Sequence, residues 1–426
     1  MKRIVSVTAS LAVCDLQSRS LVGAVRSRRL VEATVAVPLS LAAPTRESPR
    51  EAARQAAWES SEHDALFETW CNAGGLSHLA SFGSFKAILE LRGLCSDGYE
   101  LVSQALLEGL RHGDLFKREE ALEALGTLVV EAAGEKPHVA AKCLDGLIET
   151  GLSEIGFVRK RVVGTLGSIV AKVGSQYPAL SQRCIDAVGG KAFADEFVGN
   201  RVVVVQVLAH MAIDLTSTHE DLAASCIAAL SDTAFADREL VVRQRAVQSL
   251  ADIVIAASCE PADICAQSIS VLAVRALADH HFCVRAWVAE ALFGMIVDLA
   301  EKNQDLAERC LELLASQAVY DFEIAGYIFR PSGSSVFKML GDLVRGGVGE
   351  RSGLTSRSLA PLLESAAHAR DSRLRAHAIH ILGTVATHAA AAAQLMPTLA
   401  AIASSDVYGH IREAASDAMR EATRVR

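Results

Sequence analysis

The chain has 426 residues, 51% of them hydrophobic but only 5% aromatic, so its core is expected to be Ala, Val and Leu, which suits close-packed helices. Residues 1–60 hold nine basic and five acidic side chains, which leaves 33 basic and 45 acidic for residues 61–426, a net of −12. That acidity disfavours nucleic acid and anionic membrane as general partners.

Residues 1–57 stand apart from everything that follows. Met1-Lys-Arg and a mostly apolar stretch lead to Cys14, a faint lipoprotein-signal pattern ending in LAVC. The stretch is short, is broken by Ser6, Thr8 and Ser10, and puts Val13 before the cysteine, a poor residue for cleavage. Arg19–Arg29, with few acids nearby, resembles an organelle transit peptide. Pro38, Pro44 and Pro49 then read as a linker. The expectation for 1–57 is a disordered leader, a wrongly assigned start or a targeting and linker segment. Residues 58–94, with Trp58, Leu66, Phe67, Trp70, Phe82 and Phe85, read as a divergent helix pair that caps an array.

From residue 95 to the end one frame repeats. It is clearest in VRQRAVQSLADI, where Arg243, Ala246, Leu250 and Ile253 are spaced 3, 4 and 3. That spacing puts the three apolar residues on one face of a helix. The frame recurs at Arg118, Arg159, Arg201, Arg285, Gly333, Arg375 and Arg412, in steps of 41, 42, 42, 42, 48, 42 and 37 along the chain. Fifteen residues after the last apolar position of six frames comes a second column: Cys143, Cys184, Cys226, Ser268, Cys310 and Ser358. Each lies in its own amphipathic stretch, and Pro137, Pro178 and Pro261 fall a few residues earlier, where proline suits a helix start. Each unit is therefore read as two helices, an outer one with the Cys/Ser column and an inner one with the Arg frame. Neither buries its apolar stripe alone, so stacking on neighbours must do so. The fold class is all-α, an α-solenoid of about eight helix pairs.

The segments VRQRAVQSLADI, VRAWVAEALFGM, VRKRVVGTLGSI, LRAHAIHILGTV and IREAASDAM resemble the HEAT-repeat family of armadillo-like α-solenoids over about residues 95–424. That family tends to carry an aspartate in the turn before the second helix, and Asp195, Asp237, Asp279, Asp371 and Asp406 stand ahead of their arginines. The resemblance implies the fold and is nearly silent on function, since one scaffold hosts many. Deoxyhypusine hydroxylase resembles this fold and binds iron through several His-Glu pairs, whereas only His219-Glu220 occurs here.

Ten cysteines do not form a zinc pattern, and four of them belong to the repeated column, which reads as buried thiols in a reducing, cytoplasmic setting. The sixth frame is six residues late, so an insertion is placed in the turn at 318–333, with Tyr320, Phe322, Tyr327 and Phe329. Residues 376–405 lack charged side chains, but Pro397, Gln394 and several histidines argue against a membrane span, and the stretch reads as helix, turn and helix.

Positions two, five and nine after the Arg column face away from the apolar stripe. In the geometry that the resemblance implies, they tend to line a concave surface. The candidate binding residues are Arg161, Gln206, His210, Arg245, Gln248, Asp252, Trp287 and Glu290. Arg and Trp are the side chains most often found as binding anchors. The Arg column itself is expected to contact the turns of the next repeat. His377, His380 and His388 share a helix face, but the third stands too far along the axis for one metal ion. No nucleotide-binding, hydrolase or metalloprotease motif occurs. The reading is a non-catalytic scaffold for another protein, without cofactor. The alternatives are a metal-binding or enzymatic solenoid and a nucleic-acid binder with a local Arg groove.

Overall fold

The computed structural model describes residues 85–90, 98–112, 114–154, 156–258, 262–325, 336–346, 353–386 and 389–424. The leader at 1–57, most of the expected cap at 58–94, residues 326–333 of the insertion, Pro261 and His388 lie outside them. The described residues form no strand. A short helix α1 (Phe85–Glu90) precedes eight helix pairs. These are α2 (Gly98–His112) with α3 (Leu115–Glu135), α4 (Pro137–Glu149) with α5 (Gly156–Val173), and α6 (Pro178–Ala187) with α7 (Val198–Thr216). Then come α8 (Glu220–Ala234) with α9 (Leu240–Ala256), α10 (Ala262–Val271) with α11 (Phe282–Leu299), and α12 (Gln304–Ala325) with α13 (Val336–Arg345). The last are α14 (Leu354–His368) with α15 (Ser372–Val385) and α16 (Ala389–Ser405) with α17 (Gly409–Arg424). The chain is an α-solenoid, as the period required.

The helix starts follow from local chemistry. Pro137 and Pro178 occupy the first turns of α4 and α6, where a missing N–H costs nothing. Asp114 caps α3, its Oδ1 accepting the Lys117 N–H at 3.0 Å. One expectation is corrected here. The turn expected at Tyr320 and Phe322 is helix instead, because the backbone of α12 stays helical to Ala325. Part of the six-residue excess therefore lengthens a helix.

The chain divides into two compact units, residues 1–172 and 173–426. In the first, α2 packs on α3 and α4, and α3 on α4. Phe85 of α1 is buried with its ring over Gly109, where a Cβ would lie 2.1 Å from Cζ. In the second unit the helices meet chain neighbours and, at most steps, the equivalent helix of the next pair. Thus α7 packs on α8 and α9, α9 on α11, and α15 on α17, while the first helices stack as α6 on α8, α8 on α10 and α12 on α14. Contacts that run only to neighbours are the mark of a stacked array.

The repeated frame is the core. Leu125, Leu166, Leu208, Leu250, Leu292, Leu340 and Leu382 are all fully buried, as are the residues at the flanking frame positions of the central pairs. Only the last frame thins out, with Met419 half-buried. Each buried Leu, Val or Ile contributes roughly 1.5–3 kcal/mol by leaving water. α7 is by length and composition apolar enough to cross a membrane. In this fold its apolar residues Val204, Leu208 and Met211 are buried, and it carries the ion-paired Arg201.

The cysteine column lies inside each unit. Cys143, Cys184, Cys226 and Cys310 are fully buried, with Ser268 and Ser358 in the same places, and the Ser358 hydroxyl donates to the Leu354 carbonyl at 2.8 Å. Burial pushes the four thiols up to about 12, so thiolate, the reactive form, is suppressed at neutral pH. Alkylation of the native chain at pH 8 followed by peptide mapping should therefore leave these four unmodified, and urea should expose them together with their helices. Rapid labelling of Cys226 in the native chain would contradict its place in the core.

Candidate functional site

Two sets of polar side chains leave the second helices of most pairs, and they differ in surroundings. The first set is the Arg column. Arg201 Nε and Nη2 donate to the two carboxylate oxygens of Asp237 at 2.6 and 3.1 Å, and Nη1 donates to the Asp195 carbonyl at 2.8 Å. Arg243 repeats the arrangement one layer on: Nη1 donates to the Asp237 carbonyl at 2.6 Å, and its guanidinium pairs with Asp279 at 2.9 Å. Arg285 Nη1 in turn donates to the Asp279 carbonyl at 2.7 Å. Each aspartate thus takes the arginine of its own pair on its backbone and the arginine of the preceding pair on its side chain. Its Oδ1 also accepts an N–H two residues on, from Glu239 for Asp237 and His281 for Asp279, which folds the turn before the helix.

These rungs are buried: Arg201, Asp237 and Arg243 are 6%, 8% and 4% exposed. The hydrogen bond to Asp237 holds the Arg201 guanidinium above its ordinary value, against the effect of burial. In the first unit Glu154 plays the aspartate's part, accepting from Arg118 Nη1 at 2.5 Å on its carboxylate and from Arg159 Nη2 at 2.9 Å on its carbonyl. The last rung, Arg375 with Asp406 at 3.2 Å, closes α15 on the turn before α17. Its partners stand 31 residues apart where the others stand 36, the same five residues by which the last repeat is short. The Arg column is therefore a fixture of the array.

The second set is the predicted face. In the first unit Arg161 is exposed on α5, its Nε donates to Glu119 of α3 at 2.6 Å, and its guanidinium lies 5.9 Å from the Phe157 ring centroid. In the second unit Gln206 is half-buried and His210 exposed on α7, Arg245 half-buried with Gln248 and Asp252 exposed on α9, and Trp287 half-buried with Glu290 exposed on α11. The fold brings His210, Arg245 and Asp252 within electrostatic reach of one another. Although its side chain reaches solvent, partial desolvation against the helix surface raises the Asp252 carboxyl above its ordinary value of 3.8, and Arg245 and His210 pull the other way. A raised carboxyl stabilises the fold only while it is protonated, and that contribution is lost as pH climbs through the raised value.

Farther along, His377 of α15 is half-buried, with its ring centroid 5.9 Å from that of Phe337. Burial and the neighbouring His380 lower its basicity. Among the described residues no group of three or more His, Cys, Asp or Glu is arranged to hold a metal ion.

No protein-family model matches this chain, and no curated protein does. Solved structures resemble it loosely. One is an engineered protein, 16% identical, covering 89% of this chain and 95% of its own, with a TM-score of 0.35. Another is from a study of Kap95p binding to RanGDP, 12% identical over 86% of this chain and 53% of its own, with a TM-score of 0.34. A third is importin beta, 12% identical over 89% and 54%, with a TM-score of 0.28. The chain spans about half the length of the latter two.

Proposed function

We propose that the chain is a HEAT-like, non-catalytic scaffold that takes a protein partner on the exposed face of α7, α9 and α11. One observation carries this reading. Two residues beyond the buried Arg243, a second arginine, Arg245, is held beside Asp252 and His210 on the side of the helix away from the core. The ladder uses Arg243, and Arg245 has no part in it. Half-buried Trp287 on the next second helix supplies an apolar anchor of the kind binding faces use. Arg161, on the first unit, belongs to the same repeat position but is already paired with Glu119. A reducing, cytoplasmic setting goes with this reading, and the buried free thiols are compatible with it.

The test is partner capture from the host by the full chain and its variants. Arg245→Glu and Trp287→Ala should each reduce capture of one and the same protein about tenfold or more, with helix content unchanged by circular dichroism. Asp252→Asn should reduce capture while leaving helix content unchanged. If the wild-type chain retains no protein under any condition, or if the three variants retain it as well as wild type, the reading fails.

A further inference from the structure

Large apolar side chains that stay in water gather at the starts of second helices. In the second unit Phe197 and Val198 open α7, Val241 lies in the first turn of α9, and Phe282 opens α11. Phe197 is 63% and Phe282 51% exposed, so the core makes little use of either ring. They stand two to four residues before Arg201, Arg243 and Arg285, at one place in three successive repeats. α9 packs on both α7 and α11. The rungs from Arg201 to Asp237 and from Arg243 to Asp279, at 2.6 and 2.9 Å, tie each of α7 and α9 to the turn before the next second helix. The three first turns therefore stand level and side by side, about 8–10 Å apart. Single exposed apolar residues are ordinary, but a row of them along one edge marks an interaction surface.

The charges on this edge carry a pattern. Asp195, Asp237 and Asp279 each accept an N–H two residues on, which sets a carboxylate against the positive end of each helix. The exposed charged or titratable side chains on the three turns are then Glu196 before α7, Arg238 and Glu239 before α9, and His280 before α11. Arg238 and Glu239 lie 3.6 Å apart. Along the edge the order is acid, base with acid, imidazole. Turned end for end, that order meets its own complement. With a two-fold axis at α9, Glu196 of one copy faces His280 of the other, Arg238 faces Glu239, Phe197 faces Phe282, and Val241 meets its own equivalent. That is the self-complementarity a two-fold interface requires. The same two exposed glutamates set the edge against an anionic lipid surface.

We infer that two copies of the chain pair edge to edge through the first turns of α7, α9 and α11, related by a two-fold axis at α9. Three turns offer less than the roughly 800 Å² per partner of a standard interface, so the dimer forms and parts with concentration. Pairing needs no other protein, so it stands whether or not the adjoining face, with Arg245 one helical turn beyond Val241, takes one.

Sedimentation equilibrium of the full chain from about 1 to 200 µM tests it, with the mass expected to climb from that of one chain toward twice that and no further. Phe197→Asp and Phe282→Asp should each weaken pairing about tenfold or more, with helix content unchanged by circular dichroism because both side chains are exposed. Arg238→Glu and Glu239→Arg should each do the same by setting like charges against each other across the axis. Mixed in equal amounts, those last two variants should pair with each other to within about threefold of wild type, because a turn with two acids then faces a turn with two bases. Should a phenylalanine variant lose helix content, the charge variants decide the question. A full chain that stays monomeric over this range, whatever other protein or vesicle it binds, overturns the inference. So does a dimer that the four variants leave intact, or a mixture that pairs no better than either variant alone.

Discussion

Asp237→Ala is expected to cost about 3–5 kcal/mol, the usual consequence of removing one member of a buried ion pair. The Arg201 side chain is 8% exposed and that of Asp237 is 4% exposed, so an orphaned guanidinium would have little water to turn to. It would keep the Asp195 and Glu196 carbonyls, at 2.8 and 3.1 Å, but no anion. The turn would also lose the acceptor for the Glu239 N–H. Adding Arg201→Met should recover most of the loss, because replacing a buried pair with apolar side chains is often near neutral. Asp232→Ala, which breaks an exposed pair with Arg275, should leave the transition in place. Urea unfolding followed by exchange in α7–α9 reads all three. If Asp237→Ala behaves like Asp232→Ala, the rungs do not hold adjacent pairs together.

That contrast explains what a linear reading could and could not see. Repetition at 42 residues made the helix pairs, the frame and the cysteine column legible, because burial acts at every repeat and leaves the same residue type in the same place. The rungs were half legible. The arginines and four of the aspartates stand in register, but their pairing runs between layers 36 residues apart and leaves no local trace. Glu154 escaped notice because it is one methylene longer and one residue out of phase, and Asp371 was grouped with the others although it stands four, and not six, before its arginine. Subtracting six from Arg375 lands on Ala369 and so separates Asp371 from the others, whereas six before Arg159 is Ser153, one residue short of Glu154. The face proposed for binding was less legible again, since solvated positions obey no packing rule. Spacing put Trp287 and Arg245 on that face, but could not say that both would be half-buried or that His210 would reach Asp252.

Two arginines two residues apart, Arg243 and Arg245, show how one helix of a solenoid can serve both the stack and its outer face. A helix turns about 200° over two residues, so one side chain enters the stack while the next faces outward. The inward one must find a carboxylate or remain an unpaired buried charge. The outward one is free to vary without touching the fold, and that freedom lets one scaffold carry many recognition surfaces.

The second large effect is expected at Leu250, the central frame residue of α9, which is fully buried. Leu250→Ala should cost about 2–5 kcal/mol, the lost transfer energy together with the cavity left behind. The helix has little means of closing that cavity. It packs on α7 and α11 as well as on α8, and Ala246 and Ile253 on the same stripe are themselves fully buried. The damage should therefore spread to both neighbours and appear as faster amide exchange in α7 and α11, the behaviour of an array whose helices are stable only in company. Val241→Ala, nine residues earlier on the same helix, is the control: its side chain is 47% exposed, and its truncation should cost under about 1 kcal/mol. Chemical denaturation of the three proteins side by side gives the answer. If Leu250→Ala costs no more than Val241→Ala, or exchange quickens in α9 alone, the repeated frame is a pattern in the chain without being its core.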